Sequence, residues 1–330
     1  MKIIVDSAIP FVEGVFEPYA RVVYRPGQQI AAADLHDADA LLVRTRTRCD
    51  AALLDASPVR FIATATIGFD HIDLEYCRRR RIGVATASGC NARGVLQWVA
   101  AVLCHLSRRE GWRPPQKTLG VVGAGHVGEP VRQYAAAWGF RVLTCDPPRA
   151  AREGGDFATL DETVRRCDLL SFHTPLDGST RRMAGERLFE ALRPGAVVIN
   201  SSRGEVIDAE ALRASGHPYV LDVWEHEPEI DRRLLEGAWL ATPHVAGYSL
   251  QGKANAAAMA VRAVARRFGL PLEGWYPDVA PVRPRPIGWD ELTRTIDSYY
   301  DIAAESAALK ARPERFEALR NAYAYRQEYF

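Results

Sequence analysis

One short stretch restricts the fold more than any other. The apolar run Thr118 to Val122 reads as a strand, Gly123-Ala124-Gly125-His126-Val127-Gly128 follows at once, and a helix-like segment runs from Val127 to about Trp138. A G-x-G-x-x-G spacing is informative only in that strand-turn-helix setting. Gly123 permits the tight turn, Gly125 lets a pyrophosphate approach the backbone, and Gly128 lets helix and strand pack closely, while the helix N-terminus attracts phosphate charge. Asp146 ends the next strand, Arg141 to Cys145, 18 positions after Gly128. A carboxylate there accepts hydrogen bonds from an adenosine ribose and repels a 2′-phosphate, so NAD is expected in preference to NADP. The competing reading is a glycine turn that binds nothing, with Asp146 a cap before Pro147-Pro148. Arg149 could accept a 2′-phosphate, but beside Asp146 it reads as a surface residue.

The rest of the chain fits an α/β plan. From Lys2 to about Thr86 short apolar runs (Ile3 to Val5, Arg21 to Tyr24, Ala40 to Val43, Phe61 to Thr66, Ile82 to Thr86) alternate with polar, helix-like segments. A long apolar segment, Asn91 to Leu106, reads as a connecting helix, broken by Pro114-Pro115. The second unit continues past Cys145 with a helix Leu160 to Cys167. Strands follow at Asp168 to Phe172, Ala196 to Ser201, Tyr219 to Asp222 and Trp239 to Thr242. Such alternation argues for a parallel, doubly wound sheet. A helix of small residues, about Leu250 to Phe268, is expected to return to the first unit. Pro271 to Pro286 has the composition of an extended linker. Beyond it Tyr299, Tyr300, Phe316, Tyr323, Tyr325 and Tyr329 are too many aromatics to leave wet on so short a segment, and self-association would bury them.

In an open parallel sheet, ligands bind outside the carboxyl ends of the strands. Arg203, Glu227 and His244 each follow such an end. Oxidising a 2-hydroxy acid needs a base for the hydroxyl proton, a carboxylate to orient that base and a guanidinium for the substrate carboxylate. His244 suits the first role, Glu227 the second, and Arg203 the third, where a Lys would lack the planar fork. Singly, each has a plainer reading: a capping histidine, a surface acid in Glu225-His226-Glu227, and one more arginine in a chain whose lysines are only Lys2, Lys117, Lys253 and Lys310 among 42 basic residues. Their joint placement downstream of the glycine turn favours chemistry. Arg44-Thr45-Arg46-Thr47-Arg48, just past the strand Ala40 to Val43, offers cations for a substrate phosphate through Arg44 or Arg46; a solvated basic loop is the alternative.

The segments Ser202 to Asp208, Leu221 to Pro228, Thr242 to Tyr248 and His173-Thr174-Pro175-Leu176 resemble the D-isomer-specific 2-hydroxyacid dehydrogenases, over roughly Lys2 to Phe268. The resemblance implies Arg203, Glu227 and His244 as catalytic, Asp146, Thr174, Asp222 and Gly247 near NAD, and Thr45, Thr66 and Tyr248 near substrate. It also implies a C-terminal dimerisation domain. The expected architecture is therefore α/β: a Rossmann doubly wound parallel sheet, a flavodoxin-like α/β substrate lobe and a small C-terminal dimerisation domain. Residues 1–92 form the substrate lobe with 246–268 returning to it, 93–245 the NAD-binding domain, and 269–330 the linker and dimerisation domain. The expected substrate is a phosphorylated D-2-hydroxy acid; a cofactor-sensing binding module is the rival from another class.

Balance and cysteine usage exclude other classes. With 42 basic and 41 acidic side chains the net charge is +1, which gives no electrostatic reason to expect nucleic acid or an anionic membrane as partner. Arg78 to Arg81 reads as a solvated helix end. The six cysteines form no C-x-x-C pair or dense framework, so neither zinc nor a disulfide scaffold is expected, and a reducing cytoplasm fits. Asp70-His71-Ile72-Asp73 superficially resembles metal ligands, but a helix cap explains it better, and no metal is expected.

Overall fold

The computed structural model describes residues 1–281 and 284–330. The chain forms two compact units, Met1–Asn91 with Leu250–Pro281, and Ala92–Ser249 with residues 284–330. Residues 282 and 283 of the expected linker lie outside the described residues.

The first unit carries five parallel strands, β1 (Lys2–Asp6), β2 (Arg21–Arg25), β3 (Ala40–Val43), β4 (Phe61–Thr64) and β5 (Gly83–Thr86), in the order β2-β1-β3-β4-β5. This is the flavodoxin-like order. β1, β3 and β4 are buried along their whole length, as near-continuous apolar strands covered on both faces must be. One cover is the helix Leu250–Phe268, whose Ala257, Ala260, Val261 and Val264 share a core with Ile3, Val5, Leu42 and Ala63. Small side chains let that helix lie close. The short helix Leu74–Arg79 begins at Asp73, whose carboxylate accepts from the Tyr76 N–H, so the acids near His71 include a helix cap.

The second unit carries β6 (Thr118–Val122), β7 (Arg141–Cys145), β8 (Leu169–Phe172), β9 (Val197–Asn200), β10 (Tyr219–Leu221) and β11 (Leu240–Ala241), all parallel, in the order β11-β10-β9-β8-β6-β7. It is a Rossmann sheet whose strand order reverses between β6 and β8, the crevice in which such sheets bind ligands. The helix Ala92–Glu110 lies in this unit's core with Trp98 fully buried.

The C-terminal residues form a helical region that packs within the second unit. The helix Ile302–Ala311 packs on the edge strand β11, where Ser306 Oγ accepts from the Ala241 N–H at 3.0 Å. Trp289, Ile296, Tyr300 and Phe330 join Trp112, Trp138 and Phe140 in one core. Most of the tail's apolar surface is thus buried within the chain, where each large side chain gains about 1.5–3 kcal/mol. Tyr299 and Tyr325 remain exposed.

Candidate active site

The glycine turn has the geometry its spacing requires. Gly123 has φ +89°, and a Cβ there would stand 2.8 Å from the His173 carbonyl oxygen, at the start of the segment after β8. A Cβ on Gly128 would lie 1.8 Å from the Gly123 oxygen, whereas Gly125 faces open space. Two glycines thus make the turn tight, and the third leaves its outer face accessible. His126 is exposed and Val127 half-buried at the start of the helix Gly128–Trp138. Asp146 braces the turn: its Oδ2 accepts from the Ala124 N–H at 2.8 Å, and its Oδ1 from the Arg149 N–H. Just beyond β8 and β9, Thr174 Oγ1 and Ser201 Oγ are buried and have no hydrogen-bond partner among the described residues. Buried hydroxyls in that position call for an acceptor or donor from outside the chain. An open glycine, a braced acid and two orphaned hydroxyls therefore fit a dinucleotide. Ser201 was not foreseen; a serine at a strand end is too common to stand out.

Arg149 does more than a surface residue. Its guanidinium donates to the Ala124 carbonyl at 2.8 Å and pairs with Glu129 at 2.6 Å and Glu153 at 2.7 Å. Arg132 contributes most to holding the Glu129 carboxyl at about 2, with Arg149 and Gln133 adding to it against the opposing effect of burial. A depressed carboxyl contributes stability that is complete above its unfolded value near 4.5 and lost as pH falls toward 2. Glu129→Gln should therefore melt below the wild type at neutral pH. Calorimetry should show the gap closing as pH drops below about 4.5; a gap independent of pH would contradict the assignment.

His244 and Glu227 meet. His244 Nδ1 donates to Glu227 Oε2 at 2.7 Å, and Glu227 Oε1 accepts from the Trp224 N–H at 3.0 Å. The carboxylate accepts only, so the ring proton sits on Nδ1 and leaves Nε2 basic. Burial opposes ionisation of Glu227, but His244, Arg320 and the Trp224 N–H outweigh it and hold the carboxyl below the usual range. His244 has φ +57° and His226 φ +60°, a conformation that costs a non-glycine residue about 1–2 kcal/mol and concentrates at working sites.

A buried scaffold holds the His244 turn in that shape. Asp222 is 1% exposed, and its carboxylate accepts from Thr242 Oγ1 at 2.6 Å and from the Val245 and Ala246 N–H groups at 2.8 and 3.0 Å. Burial pushes its carboxyl up, although His244 and these three donors pull the other way. Trp98 Nε1 in turn donates to Thr242 Oγ1 at 3.0 Å. The resemblance places Asp222 near the cofactor, but both its oxygens are engaged within the chain, and its structural work is bracing the turn. Arg326, 7% exposed, donates to the Val245, Ala246 and Gly94 carbonyls and lies 4.3 Å from the Tyr300 ring centroid. Neither Trp98 nor Arg326 could be foreseen, because each reaches the turn from far along the chain.

Arg203 follows β9, and the fully buried Asn200 shapes its turn. Asn200 Nδ2 donates to the Arg203 carbonyl at 2.8 Å, while Oδ1 accepts from the Ser202 N–H and hydroxyl. The next residue, Gly204, touches the segment leading to Glu227: a Cβ there would lie 2.0 Å from the Trp224 carbonyl carbon. The arginine and carboxylate segments are therefore packed backbone to backbone. Gly247 and Tyr248 follow on the His244 side, and the Tyr248 hydroxyl accepts from Arg320 Nε at 3.2 Å.

The remaining candidates belong to the first unit. Arg44 is half-buried and donates to the Ala8 carbonyl at 2.7 Å; Thr45 and Arg46 are exposed. Thr66 Oγ1 lies 2.6 Å from Thr64 Oγ1 and donates to the Gly68 carbonyl at 3.0 Å. Burial pushes the His71 imidazole pKa down, and its Nε2 lies 3.2 Å from Thr64 Oγ1, so it belongs to a threonine network. Among the described residues no group of three or more His, Cys, Asp or Glu is arranged to hold a metal ion, and no helix is long and apolar enough to cross a membrane.

A Rossmann sheet whose strand ends present a carboxylate-held histidine is the architecture of a dinucleotide-dependent oxidoreductase, and sequence comparison narrows the class. Residues 93–246 match the family described as D-isomer specific 2-hydroxyacid dehydrogenase, NAD binding domain. The chain belongs to that family. It is 43% identical to erythronate-4-phosphate dehydrogenase of Bacteroides fragilis, over 99% of this chain and 97% of that one. It is 39% identical to the Shigella flexneri enzyme of the same name, over 100% and 92%. Among solved structures, NAD+-bound 3-phosphoglycerate dehydrogenase of Entamoeba histolytica aligns at TM-score 0.68 and 25% identity over 86% of this chain and 99% of that one. D-lactate dehydrogenase of Aquifex aeolicus, complexed with NAD and lactic acid, shares the fold at TM-score 0.68 and 23% identity, over 85% and 100%.

Proposed function

We propose that this chain oxidises 4-phospho-D-erythronate to 2-oxo-3-hydroxy-4-phosphobutanoate with NAD, in the route to pyridoxal 5′-phosphate. The observation that carries the chemistry is the 2.7 Å contact between His244 and Glu227, in a unit matched by the family's NAD binding domain. Near-full-length similarity to named erythronate-4-phosphate dehydrogenases selects the substrate.

Glu227 keeps a proton on Nδ1 of His244, so Nε2 takes the proton of the C2 hydroxyl while the C2–H bond is broken and the C2 carbonyl forms. In the reverse direction the imidazolium returns that proton. NAD, when bound, supplies the hydride acceptor. Arg203 holds the substrate carboxylate through parallel N–H donors. Gly123, Gly125, His126, Val127 and Gly128, with Asp146, Thr174, Ser201 and Gly247, hold the cofactor; Asp222 serves it through the turn that it braces. Arg44, Thr45, Thr66 and Tyr248 are assigned to the substrate, with Arg44 or Arg46 taking the phosphate. In this reading, the first unit is the substrate lobe and the second the cofactor domain.

The setting we propose is a reducing cytoplasm, with the chain a homodimer. All six cysteines are buried free thiols, as suits such a compartment. The exposed Tyr299 and Tyr325 of the C-terminal segment offer aromatic surface of the kind that partners cover.

Purified protein given 4-phosphoerythronate and NAD should form NADH, or should turn over with a 2-oxo acid acceptor if the cofactor is held tightly. Its kcat/KM should exceed that for 3-phosphoglycerate by at least about 10²-fold, the scale on which a pocket distinguishes acids that differ by one small group. Absence of turnover with and without acceptor would overturn the substrate, and a better rate with another acid would reassign it.

A further inference from the structure

The C-terminal helix Phe316–Asn321 brings a cation to the carboxylate behind the histidine. Arg320 Nη1 lies 3.5 Å from Glu227 Oε2, the same oxygen that receives the His244 Nδ1 proton. Its Nε donates to the Tyr248 hydroxyl at 3.2 Å, and its guanidinium carbon lies 5.9 Å from that ring's centroid. Arg320 and Glu227 are 22% and 17% exposed, so water screens the pair only partly.

We propose that Arg320 is a positioning residue for the Glu227–His244 pair: its guanidinium shares Glu227 Oε2 with the imidazole and fixes the Tyr248 phenol beside them. The inference rests on the dehydrogenase reading above, and it makes the C-terminal segment a working part of the site. One carboxylate oxygen serves two donors. Guanidinium and imidazole therefore draw on the same negative charge. Tyr248 is oriented by the same group, so base and phenol are set by one side chain.

Other charges face the pair and define the background against which Arg320 acts. Asp222 lies beneath the His244 turn and accepts from its Val245 and Ala246 N–H groups. Arg326 grips that turn through its carbonyls. Tyr323 packs edge-on to Tyr248, and its hydroxyl accepts from Arg326. On the loop that carries Glu227, Glu225 pairs with Arg182 at 3.4 Å, beside His226. Arg203 adjoins through Gly204, which abuts Trp224. Of these, Arg320 is the cation that Glu227 itself meets.

Two variants separate charge from bulk. Arg320→Gln removes the cation, and Arg320→Lys keeps it. In kcat/KM for oxidation against pH, Arg320→Gln should move the acid limb upward by about 0.5–1 pH unit, because an imidazole freed of a neighbouring cation binds its proton more readily. Arg320→Lys should leave the limb near its wild-type place. A merely structural role would lower the profile at every pH without moving it. The same coupling can be read without turnover, by following the His244 ring by NMR as the free protein is titrated: its midpoint should be higher in Arg320→Gln. If Arg320→Gln fails to fold, Arg320→Met is judged by the same two measurements. An active wild type with coincident limbs and midpoints across the variants would overturn the role of Arg320 alone. An inactive wild type would sink the dehydrogenase reading, and the NMR midpoints would still decide the coupling.

Discussion

His244→Asn is expected to lower kcat/KM for the proposed oxidation by about 10²–10⁴-fold while leaving the fold in place. Asn is the informative replacement because position 244 sits at φ +57°, a region that asparagine tolerates better than most residues. His244→Ala removes the same base but adds a backbone penalty of up to about 1–2 kcal/mol, so a loss of rate there mixes two causes. The ring is 28% exposed, and asparagine keeps a polar side chain in its place. The braces from Asp222 reach backbone groups of Val245 and Ala246, which the substitution does not touch. Melting temperature and NAD affinity should stay near wild type, and the rate should fall. A His244→Asn protein that keeps nearly normal turnover would remove the imidazole from the mechanism.

Much of this arrangement could be read from the chain because it is local. The G-x-G-x-x-G turn announces itself, since each glycine answers a contact within a few residues or with the adjacent strand end: Gly123 with His173, Gly128 with Gly123. The strand-end rule pointed to Arg203, Glu227 and His244, of which the fold brings Glu227 and His244 into contact, and the two parallel sheets followed from alternation of apolar runs. The observed strands stop a residue or two short of the apolar runs, at Asn200 and Leu221. Beyond those points the backbone turns away to present Ser202, Arg203 and Asp222. What stayed hidden is long-range. Trp98 and Thr242 are 144 positions apart, Arg326 and Gly94 232, and in a chain so rich in arginine neither Arg320 nor Arg326 stands out. The aromatic tail was rightly read as unable to remain wet, but periodicity cannot say whether a segment buries itself on its own chain or on another, and here it covers the β11 edge.

Gly204→Ala should be the most damaging small substitution outside the glycine turn. The added Cβ would stand 2.0 Å from the Trp224 carbonyl carbon and 2.3 Å from the Glu225 nitrogen. Both are backbone atoms, so no side-chain rotation can relieve the overlap, and one of two loops must move. If the Trp224 segment shifts, the Trp224 N–H leaves Glu227 Oε1, and the carboxylate loses the donor that sets its angle to His244. If the Arg203 turn shifts, the guanidinium leaves the place from which it would hold the substrate. Either displacement separates two of the three groups the reaction needs, and a misplacement of about 1 Å costs on the order of 10²-fold in rate. Overpacking against backbone should also cost about 3 kcal/mol or more of stability, beyond the range of ordinary core insertions. Urea denaturation and kcat/KM should therefore fall together. NAD binding should fall less than turnover, because of the proposed cofactor residues only Ser201 adjoins the Arg203 turn, while the Gly123–Gly128 turn, Asp146 and Thr174 lie elsewhere. A Gly204→Ala protein with wild-type stability and turnover would mean that the Arg203 and Glu227 segments do not lie against each other in solution.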